Sequence, residues 1–285
     1  MRITELHHYP LKSGRGIALT QAEITATGIP GDRVMMLTGP DGHFFTQREL
    51  QALAQVKAAP VDASGTTRLA MEGKGELDIV FDTTDRRLDV VVWKSNVSAQ
   101  LAADTVNATL SEWLERDVRL VFFDDRASRT ATAEWAGDNS PVTFADGYQV
   151  LVTTTGSLAA LNANMADNGE QPVGMERFRP NIVIDHDEPW AEDNWAAIEI
   201  GGIRFDLVKP CARCIMTTQD QQTGSRDVPS PMSAMGRIRM SGDRRVPGPL
   251  FGWNAVPRST GKVNLGDTVK ILETREEGWA IKRRA

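Results

Sequence analysis

Alternating apolar and polar positions dominate the first half of the chain and predict a β-rich structure. Residues 17–24 alternate as a half-buried strand does, and the apolar run 34–37 follows a Gly-Ile-Pro-Gly turn. Pro40-Asp41-Gly42 then predicts a tight hairpin into the segment 43–45. Further strands are expected at residues 77–81, 88–93 and 118–123.

Helical periodicity is confined to short stretches of the first half. Apolar residues recur at helical spacing within residues 97–115, the last of them Trp113, which predicts a helix packed on the core. Thr46 and Glu49 have the spacing of a capping box and predict a second helix over residues 47–55.

The second half begins after a polar segment, residues 124–141, which predicts a long loop or a domain boundary. A strand at 149–152 then leads through the hydroxyl-rich turn 153–157 into a helix from residue 158. The free N–H groups at that helix start make the turn a candidate anion site, and simple N-capping is an equally good interpretation.

Strand signals return towards the end of the chain. Residues 195–208 predict a hairpin around Gly201-Gly202, and residues 263–272 predict the closing strands of a small barrel. Residues 219–248 are rich in Pro, Gly, Arg and Met and are expected to be irregular.

Composition limits the possible classes of protein. The chain has 285 residues, of which 41% are hydrophobic and 25% charged, as in globular proteins. It has no apolar run long enough for a membrane span and no apolar signal core at its N-terminus, so a cytoplasmic protein without a membrane span is expected. The net charge of −6 argues against a nucleic-acid partner.

The stretch 208–218 carries the main chemical signal, because it holds both cysteines of the chain, Cys211 and Cys214, with Arg213 between them. A thiolate is a soft metal ligand, and a neighbouring guanidinium favours the thiolate form. A structural zinc site needs more Cys or His ligands at suitable spacing. A thioredoxin-type redox motif needs a preceding βαβ unit. Two readings remain: cysteines packed as small hydrophobic groups, or a single cysteine bonded to a cofactor that other groups hold.

Several distant segments share an oxyanion-binding character, and each lies at an expected strand end or turn. If they meet in space, they form a basic pocket suited to a phosphorylated cofactor beside a thiolate. The alternative is that the arginines lie on the surface in ordinary ion pairs. The residues concerned are Lys12, Ser13, Arg33, Asp146, Gly147, Arg179, Asn181, Arg213 and Cys214.

Short motifs in fixed order carry a resemblance to a known family. They are YPLKSGRG, GDRVMML, FTQRE, FRPNIVI, the Asp-x-Trp at 193–195, IGGIRFDLVKPCARCIMTTQDQQTG and LFGWN. With them the chain resembles the MOSC-domain superfamily, and within it the bacterial relatives of the mitochondrial amidoxime-reducing component. The resemblance extends over about residues 1–275, and Cys-x-Arg-Cys followed by Ile-x-Thr-Thr is its most specific part.

The resemblance implies a fold and a domain division. The expected class is α+β, mostly β, with a MOSC-type β-barrel, an N-terminal β-barrel-like region and peripheral helices. Residues 1–123 would form the N-terminal region, which also contributes strands and loops to the cofactor pocket. Residues 142–275 would form the MOSC domain, and residues 124–141 the boundary.

The resemblance also implies a molybdenum cofactor, Mo-molybdopterin, with Cys214 as the metal ligand at the catalytic centre and Cys211 as a nearby cysteine that is not a ligand. Tyr148 stands where the family carries a serine, and Asn254 stands where relatives carry a tyrosine. The turn 153–157 is a second candidate for contact with the phosphate. The implied cofactor-binding residues are Lys12, Ser13, Arg33, Asp146, Gly147, Tyr148, Arg179, Asn181, Arg213 and Cys214.

The activity that the resemblance implies is reduction of small N-hydroxylated compounds: hydroxylamines, amidoximes and N-hydroxy bases. Electrons would come from a separate flavin, haem or iron–sulfur protein, because the chain lacks the four cysteines that an iron–sulfur cluster needs. A carrier of sulfur or of the molybdenum cofactor, without reductase activity, is the alternative. A barrel-shaped binding module with packed cysteines is a third reading.

Overall fold

A computed structural model of the chain describes residues 1–62, 64–80 and 85–282. The strands of the first half are β1 (Arg2–His8), β2 (Ile17–Leu19), β3 (Gln21–Ile24), β4 (Met35–Thr38), β5 (Lys57–Ala58), β6 (Thr66–Met71), β7 (Gly75–Val80), β8 (Arg87–Val92), β9 (Ser95–Leu101) and β10 (Arg119–Phe122). Those of the second half are β11 (Val150–Thr154), β12 (Ile182–Asp185), β13 (Trp195–Ile200), β14 (Ile203–Ala212), β15 (Leu250–Pro257), β16 (Gly261–Asn264) and β17 (Val269–Thr274).

Helices are few and lie at the periphery of the sheets. They are α1 (Asp104–Leu114), α2 (Ala133–Ala136), α3 (Thr155–Asp167) and α4 (Met232–Ile238), with 3-10 turns at Gln51–Gln55, Met175–Phe178, Ala191–Asn194 and Ile215–Thr218. Among the described helices, none has both the length and the apolar composition needed to cross a membrane. The expected α+β, mostly β fold with curled, barrel-like sheets and peripheral helices is confirmed.

The largest sheet joins the two ends of the chain. Within the described residues its strand order is β17-β13-β14-β15-β11-β12-β1-β2. β1 pairs antiparallel with β12, so that Ile3 lies opposite Ile184 and Leu6 opposite Ile182. β12 is the β-branched run Ile182-Val183-Ile184 and is buried on both faces, as expected for a strand covered on both sides. Ile182 and Ile184 belong to one hydrophobic core cluster, whereas Val183 packs in a second cluster together with residues of α3 and α4.

Residues 35–122 form two smaller sheets, with strand orders β4-β10-β9-β8 and β5-β6-β7. Leu120 and Phe122 of β10 face the core shared with α1, and Val121 faces a second cluster with Met36. A further strand pair joins β3 to β16, so early strands pair with late strands in two different sheets of the described residues.

Two expected hairpins are present. Gly39 N–H donates to His43 O (2.8 Å) and Phe45 N–H to Leu37 O (2.8 Å) around the turn at 40–42. Ile200 pairs with Ile203 across the two glycines that join β13 to β14.

The helix expected over residues 97–115 is wrong in its first part. Residues up to Leu101 belong to β9, which is paired on both edges, with β8 and with β10. These pairings outweigh the local helical spacing, and the helix starts at Asp104. The helix expected over 47–55 is reduced to the 3-10 turn Gln51–Gln55.

Other boundaries also differ from expectation. The helix expected from residue 158 begins at Thr155, residues 219–248 contain α4, and residues 124–141 contain α2 with Ala131 and Ala136 buried. In the strand expected at 77–81, Phe81 lies outside the described residues.

Candidate functional site

One cavity of about 400 Å³ is lined by all ten residues that the sequence singled out. They come from five separate segments of the chain: the loop after β1, the segment before β4, the approach to β11, the turn before β12 and the end of β14. The fold therefore brings together Lys12, Ser13, Arg33, Asp146, Gly147, Tyr148, Arg179, Asn181, Arg213 and Cys214. Their binding of a cofactor stays a prediction.

The cavity is strongly basic in a chain whose net charge is −6. Eight basic side chains line it, against one acidic side chain, Asp146. The basic residues are Lys12, Arg33, Arg48, Arg177, Arg179, Lys209, Arg213 and Arg245. Among the described residues, only Lys12, Arg33 and Arg245 of this set form an ion pair. Of the three arginines that the sequence singled out, Arg33 has an ion-pair partner, whereas Arg179 and Arg213 have none within the described residues, so the alternative of ordinary surface ion pairs is wrong for these two.

Lys12 is buried in the cavity wall and is held by two oxygen acceptors. Its Nζ donates to Asp146 Oδ1 (2.6 Å) and to Phe144 O (2.9 Å). Burial lowers the pKa of Lys12, and the nearby carboxylate opposes that shift. Burial alone would raise the pKa of Asp146, but the Lys12 ammonium holds it well below its usual value. Asp146 is thus ionised, and 73% of its side chain is exposed to the open cavity.

Arg33 and Arg179 lie on the same aromatic ring. Their guanidinium carbons are 4.2 Å and 4.3 Å from the centroid of the buried Tyr9 ring. Both arginines have positive φ angles, 49° and 53°, a conformation that bulky residues rarely adopt and that clusters at functional sites. Burial lowers the pKa of Arg179 to about 10. Arg179 also donates to Gly14 O (2.7 Å), and Arg33 forms an ion pair with Asp32.

Asn181 connects the site to the sheet. Its side-chain oxygen accepts from Leu151 N–H (3.1 Å) and from Arg33 (3.2 Å), and its amide donates to His7 O (3.2 Å). Because these bonds use its polar atoms, Asn181 acts here mainly as a connection between β1, β11 and Arg33.

Tyr148 is half-buried on another wall, and burial together with Glu134 raises its pKa to about 12.

The cysteine segment ends β14 at the cavity. The Arg213 guanidinium donates to Cys211 Sγ (2.9 Å) and to Phe178 O (2.7 Å). Cys214 O accepts from Thr217 through its N–H (3.2 Å) and its hydroxyl (3.1 Å). Both cysteines are free and half-buried, and both line the cavity, so they are not packed as core hydrophobic residues.

Several cavity residues were missed from the sequence, among them Arg177, Arg48 and Trp93. Arg177 is buried and donates to Thr217 O (3.0 Å) and to Pro229 O (2.7 Å), which fixes the turn after Cys214. The signal for Arg177 was its place two residues before Arg179, and the signal for Arg48 was the FTQRE motif. Trp93 carried no signal beyond a strand end.

The turn 153–157 does not line the cavity, and its interpretation as a second phosphate contact is wrong. Thr154 caps α3 by accepting from Ser157 N–H (3.2 Å). The buried carboxylate of Glu192 accepts from the Ser157 hydroxyl (2.7 Å) and from the Thr154 hydroxyl (3.0 Å). The protein's own carboxyl group thus occupies this helix start. Over the described ranges, no cluster of three or more His, Cys, Asp or Glu side chains could hold a metal ion.

Comparison with known proteins gives two family matches in the order of the chain. The MOSC N-terminal beta barrel domain matches residues 1–117, and the MOSC domain matches residues 139–270. Similar proteins are mitochondrial amidoxime-reducing component 1 of Danio rerio (28% identical, covering 94% of this chain and 83% of that protein) and component 2 of Bos taurus (29%, 94% and 82%). Component 1 of Homo sapiens is 27% identical, with 95% of this chain and 82% of that protein covered.

Proposed function

Because the chain belongs to the MOSC-domain family, with a MOSC N-terminal beta barrel domain followed by a MOSC domain, we propose that it is a molybdenum-cofactor-dependent reductase of N-hydroxylated compounds. The observation that carries the proposal is a half-buried thiol, Cys214, in the wall of a cavity with eight basic side chains and one carboxylate. Relatives named for amidoxime reduction, similar over 94% or more of the chain, support the reaction class.

The residues of the cavity fit this cofactor. A thiolate suits a soft metal, and a ring of guanidinium groups with one buried ammonium suits a phosphorylated pterin. Cys214 would be the protein's metal ligand, and the cofactor would supply the other sulfur ligands together with two-electron redox chemistry at the metal. The proposed holding residues are Lys12, Ser13, Arg33, Asp146, Gly147, Tyr148, Arg179, Asn181 and Arg213.

The net reaction balances as RNHOH + 2e⁻ + 2H⁺ → RNH₂ + H₂O: the N–O bond breaks and the oxygen leaves as water. Asp146 is a poor proton donor, because Lys12 keeps its carboxylate ionised. Its role is to orient Lys12 and the Trp93 indole, whose N–H lies 3.3 Å from Asp146 Oδ1. Water in the open cavity would supply the protons. A separate flavin, haem or iron–sulfur protein would supply the electrons.

The test compares Cys214→Ser with Cys211→Ser, both produced in a host that makes the cofactor. Cys214→Ser is expected to lose bound molybdenum and to reduce an amidoxime about 100-fold more slowly with an artificial electron donor, because even residues that support metal ligands cost 10–100-fold. Cys211→Ser should keep most of its molybdenum. Full molybdenum content and activity in Cys214→Ser would reject the ligand assignment. A persulfide on wild-type Cys214 without reductase activity would support the sulfur carrier instead.

A further inference from the structure

Trp93 is a large aromatic side chain held at the cavity in an unfavourable backbone conformation. It lies at the tip of the hairpin between β8 and β9, has a φ of 57°, and is 42% exposed. A bulky residue rarely adopts a positive φ, and residues held in this way cluster at ligand-binding sites. The strain and the exposure are both unfavourable for folding and call for a functional reason.

Three contacts fix the orientation of the Trp93 ring. Its indole N–H donates to Asp146 Oδ1 (3.3 Å), and Phe44 meets it edge to face at 5.3 Å between centroids. The Arg48 guanidinium carbon lies 5.1 Å from the ring centroid. Trp93 thus forms a preorganised aromatic surface in the wall of the cavity.

The other aromatic side chains of the cavity wall are less suited to bind a flat ligand. Phe178 has no exposed surface and stacks on Phe251 with 3.8 Å between ring centroids. Tyr148 is half-buried. Trp93 is therefore the lining aromatic residue with the largest surface open to a ligand.

We infer that Trp93 sets substrate specificity: it stacks on the planar frame of the substrate and favours N-hydroxylated groups carried on aromatic rings over those carried on aliphatic chains. This inference rests on the proposed function and narrows its substrate class to aryl amidoximes and N-hydroxylated bases. Aromatic pairs gain free energy beyond the burial of area, and a preorganised ring loses little freedom on binding. The Arg48 guanidinium lies over the Trp93 ring, so the substrate would stack on the opposite face of the indole.

The experiment compares Trp93→Ala and Trp93→Phe with the wild-type holoenzyme, on benzamidoxime and acetamidoxime. The control is Val91→Ala, because Val91 lies two residues earlier, is 47% exposed and does not line the cavity. In Trp93→Ala, the ratio of kcat/KM for the aromatic over the aliphatic substrate is expected to fall about tenfold, mostly through KM. Trp93→Phe should retain part of the preference, and Val91→Ala should leave the ratio unchanged.

Calorimetric binding of benzamidoxime to the oxidised holoenzyme, in which no turnover occurs, supplies an independent readout. Its affinity should fall by a similar factor in Trp93→Ala and stay constant in Val91→Ala. An unchanged substrate ratio, or equal losses on both substrates, would overturn the inference and leave the proposed function standing. If the wild type reduces neither compound but binds benzamidoxime through Trp93, the proposed function fails while the aromatic site remains.

Discussion

At the scale of single residues, Tyr9 determines how two like charges lie next to each other. Its ring contacts both Arg33 and Arg179, and its hydroxyl donates to Pro180 O (3.0 Å). Gly16 is required beside it, since a Cβ there would lie 2.5 Å from the Tyr9 ring. The tyrosine therefore lets the site hold two guanidinium groups close together before any anion binds.

Replacing Tyr9 by Phe gives a prediction that depends on pH. The ring remains, but Pro180 O loses its donor, so the free energy of unfolding at pH 8 should fall by about 1 kcal/mol. Burial raises the pKa of Tyr9 to about 12, above its ordinary value of 10, so the unfolded state loses this proton first as the pH rises. Wild-type stability from Tyr9 is therefore full below pH 10 and declines between pH 10 and 12.

The measurement is urea unfolding of both proteins at pH 8 and at pH 11. The wild type should lose its advantage by pH 11, since each unit above the unfolded pKa costs it about 1.4 kcal/mol. Tyr148 is present in both proteins, so its titration contributes equally to both free energies of unfolding and cancels in their difference. A difference that stays constant from pH 8 to pH 11 would contradict the assignment.

At this scale, the sequence showed which residues have suitable chemistry, but it did not show which residues contact each other. Lys12, Arg179 and Arg213 stood out because Lys and Arg near Gly or Pro turns suit oxyanions. Trp93 could not be found in this way, because its exposure depends on a hairpin tip and on Asp146, 53 residues away.

At the scale of elements, two 3-10 turns are fastened to each other beneath the cavity. Arg177 of the turn Met175–Phe178 donates to Thr217 O of the turn Ile215–Thr218. The hydroxyl of the same Thr217 donates to Cys214 O. Arg177 is 5% exposed and its bond to Thr217 O is buried, whereas its bond to Pro229 O is only partly buried because Pro229 is exposed.

Arg177→Met is expected to lower the free energy of unfolding by about 2 kcal/mol, because the buried Thr217 carbonyl and the partly buried Pro229 carbonyl lose a charged donor. Thiol labelling with a maleimide should become faster as the turn loosens. Arg226→Met is the matched control, since Arg226 also donates to two carbonyls, those of Gln47 and Arg48, but is exposed. Its change in stability should stay within about 0.5 kcal/mol. Equal losses of stability for the two substitutions would show that Arg177 does not hold the two 3-10 turns together.

Local sequence patterns predicted the elements well where turn residues define an element. They predicted them poorly where an element depends on pairing with distant strands. Pro40-Asp41-Gly42 and Gly201-Gly202 fixed their hairpins, because turn chemistry is local. β9 was taken for helix, because its pairing with β8 and β10 depends on distant residues.

At the scale of the whole molecule, the two halves share one sheet. β1 and β2 extend the sheet of the second half, and β3 pairs with β16. Gly28, at φ 90°, lies so close to the second half of the chain that a Cβ would come within 2.7 Å of Gln149 O. The division into residues 1–123 and 142–275 remains a prediction about sequence domains, whereas the packing joins them.

Because of this shared sheet, scanning calorimetry should give one unfolding transition for the full chain. Gly28→Ala should shift that transition to lower temperature without splitting it, since both strain at positive φ and the clash act on the joint between the halves. Gly137→Ala is the control, because it has a similar φ of 78° but open space around it. Two separate transitions in the wild type would contradict this view.

The convergence of the site could not be derived from the sequence, since Lys12 and Asp146 are 134 residues apart. Only the resemblance to a family placed them in one pocket. The sheet order that joins β1 to β12 is the physical cause, and no local pattern encodes it.

The pairing of β1 with β12 has a consequence for biosynthesis. The first strand leaves the ribosome long before Ile182–Asp185, the segment that it must join, has been translated. The walls of the cavity are complete only once Asn254 has emerged. Insertion of any prosthetic group must therefore wait until Asn254 has emerged. Before β12 emerges, the nascent amino-terminal strand has an unpaired edge that chaperones would need to shield from aggregation.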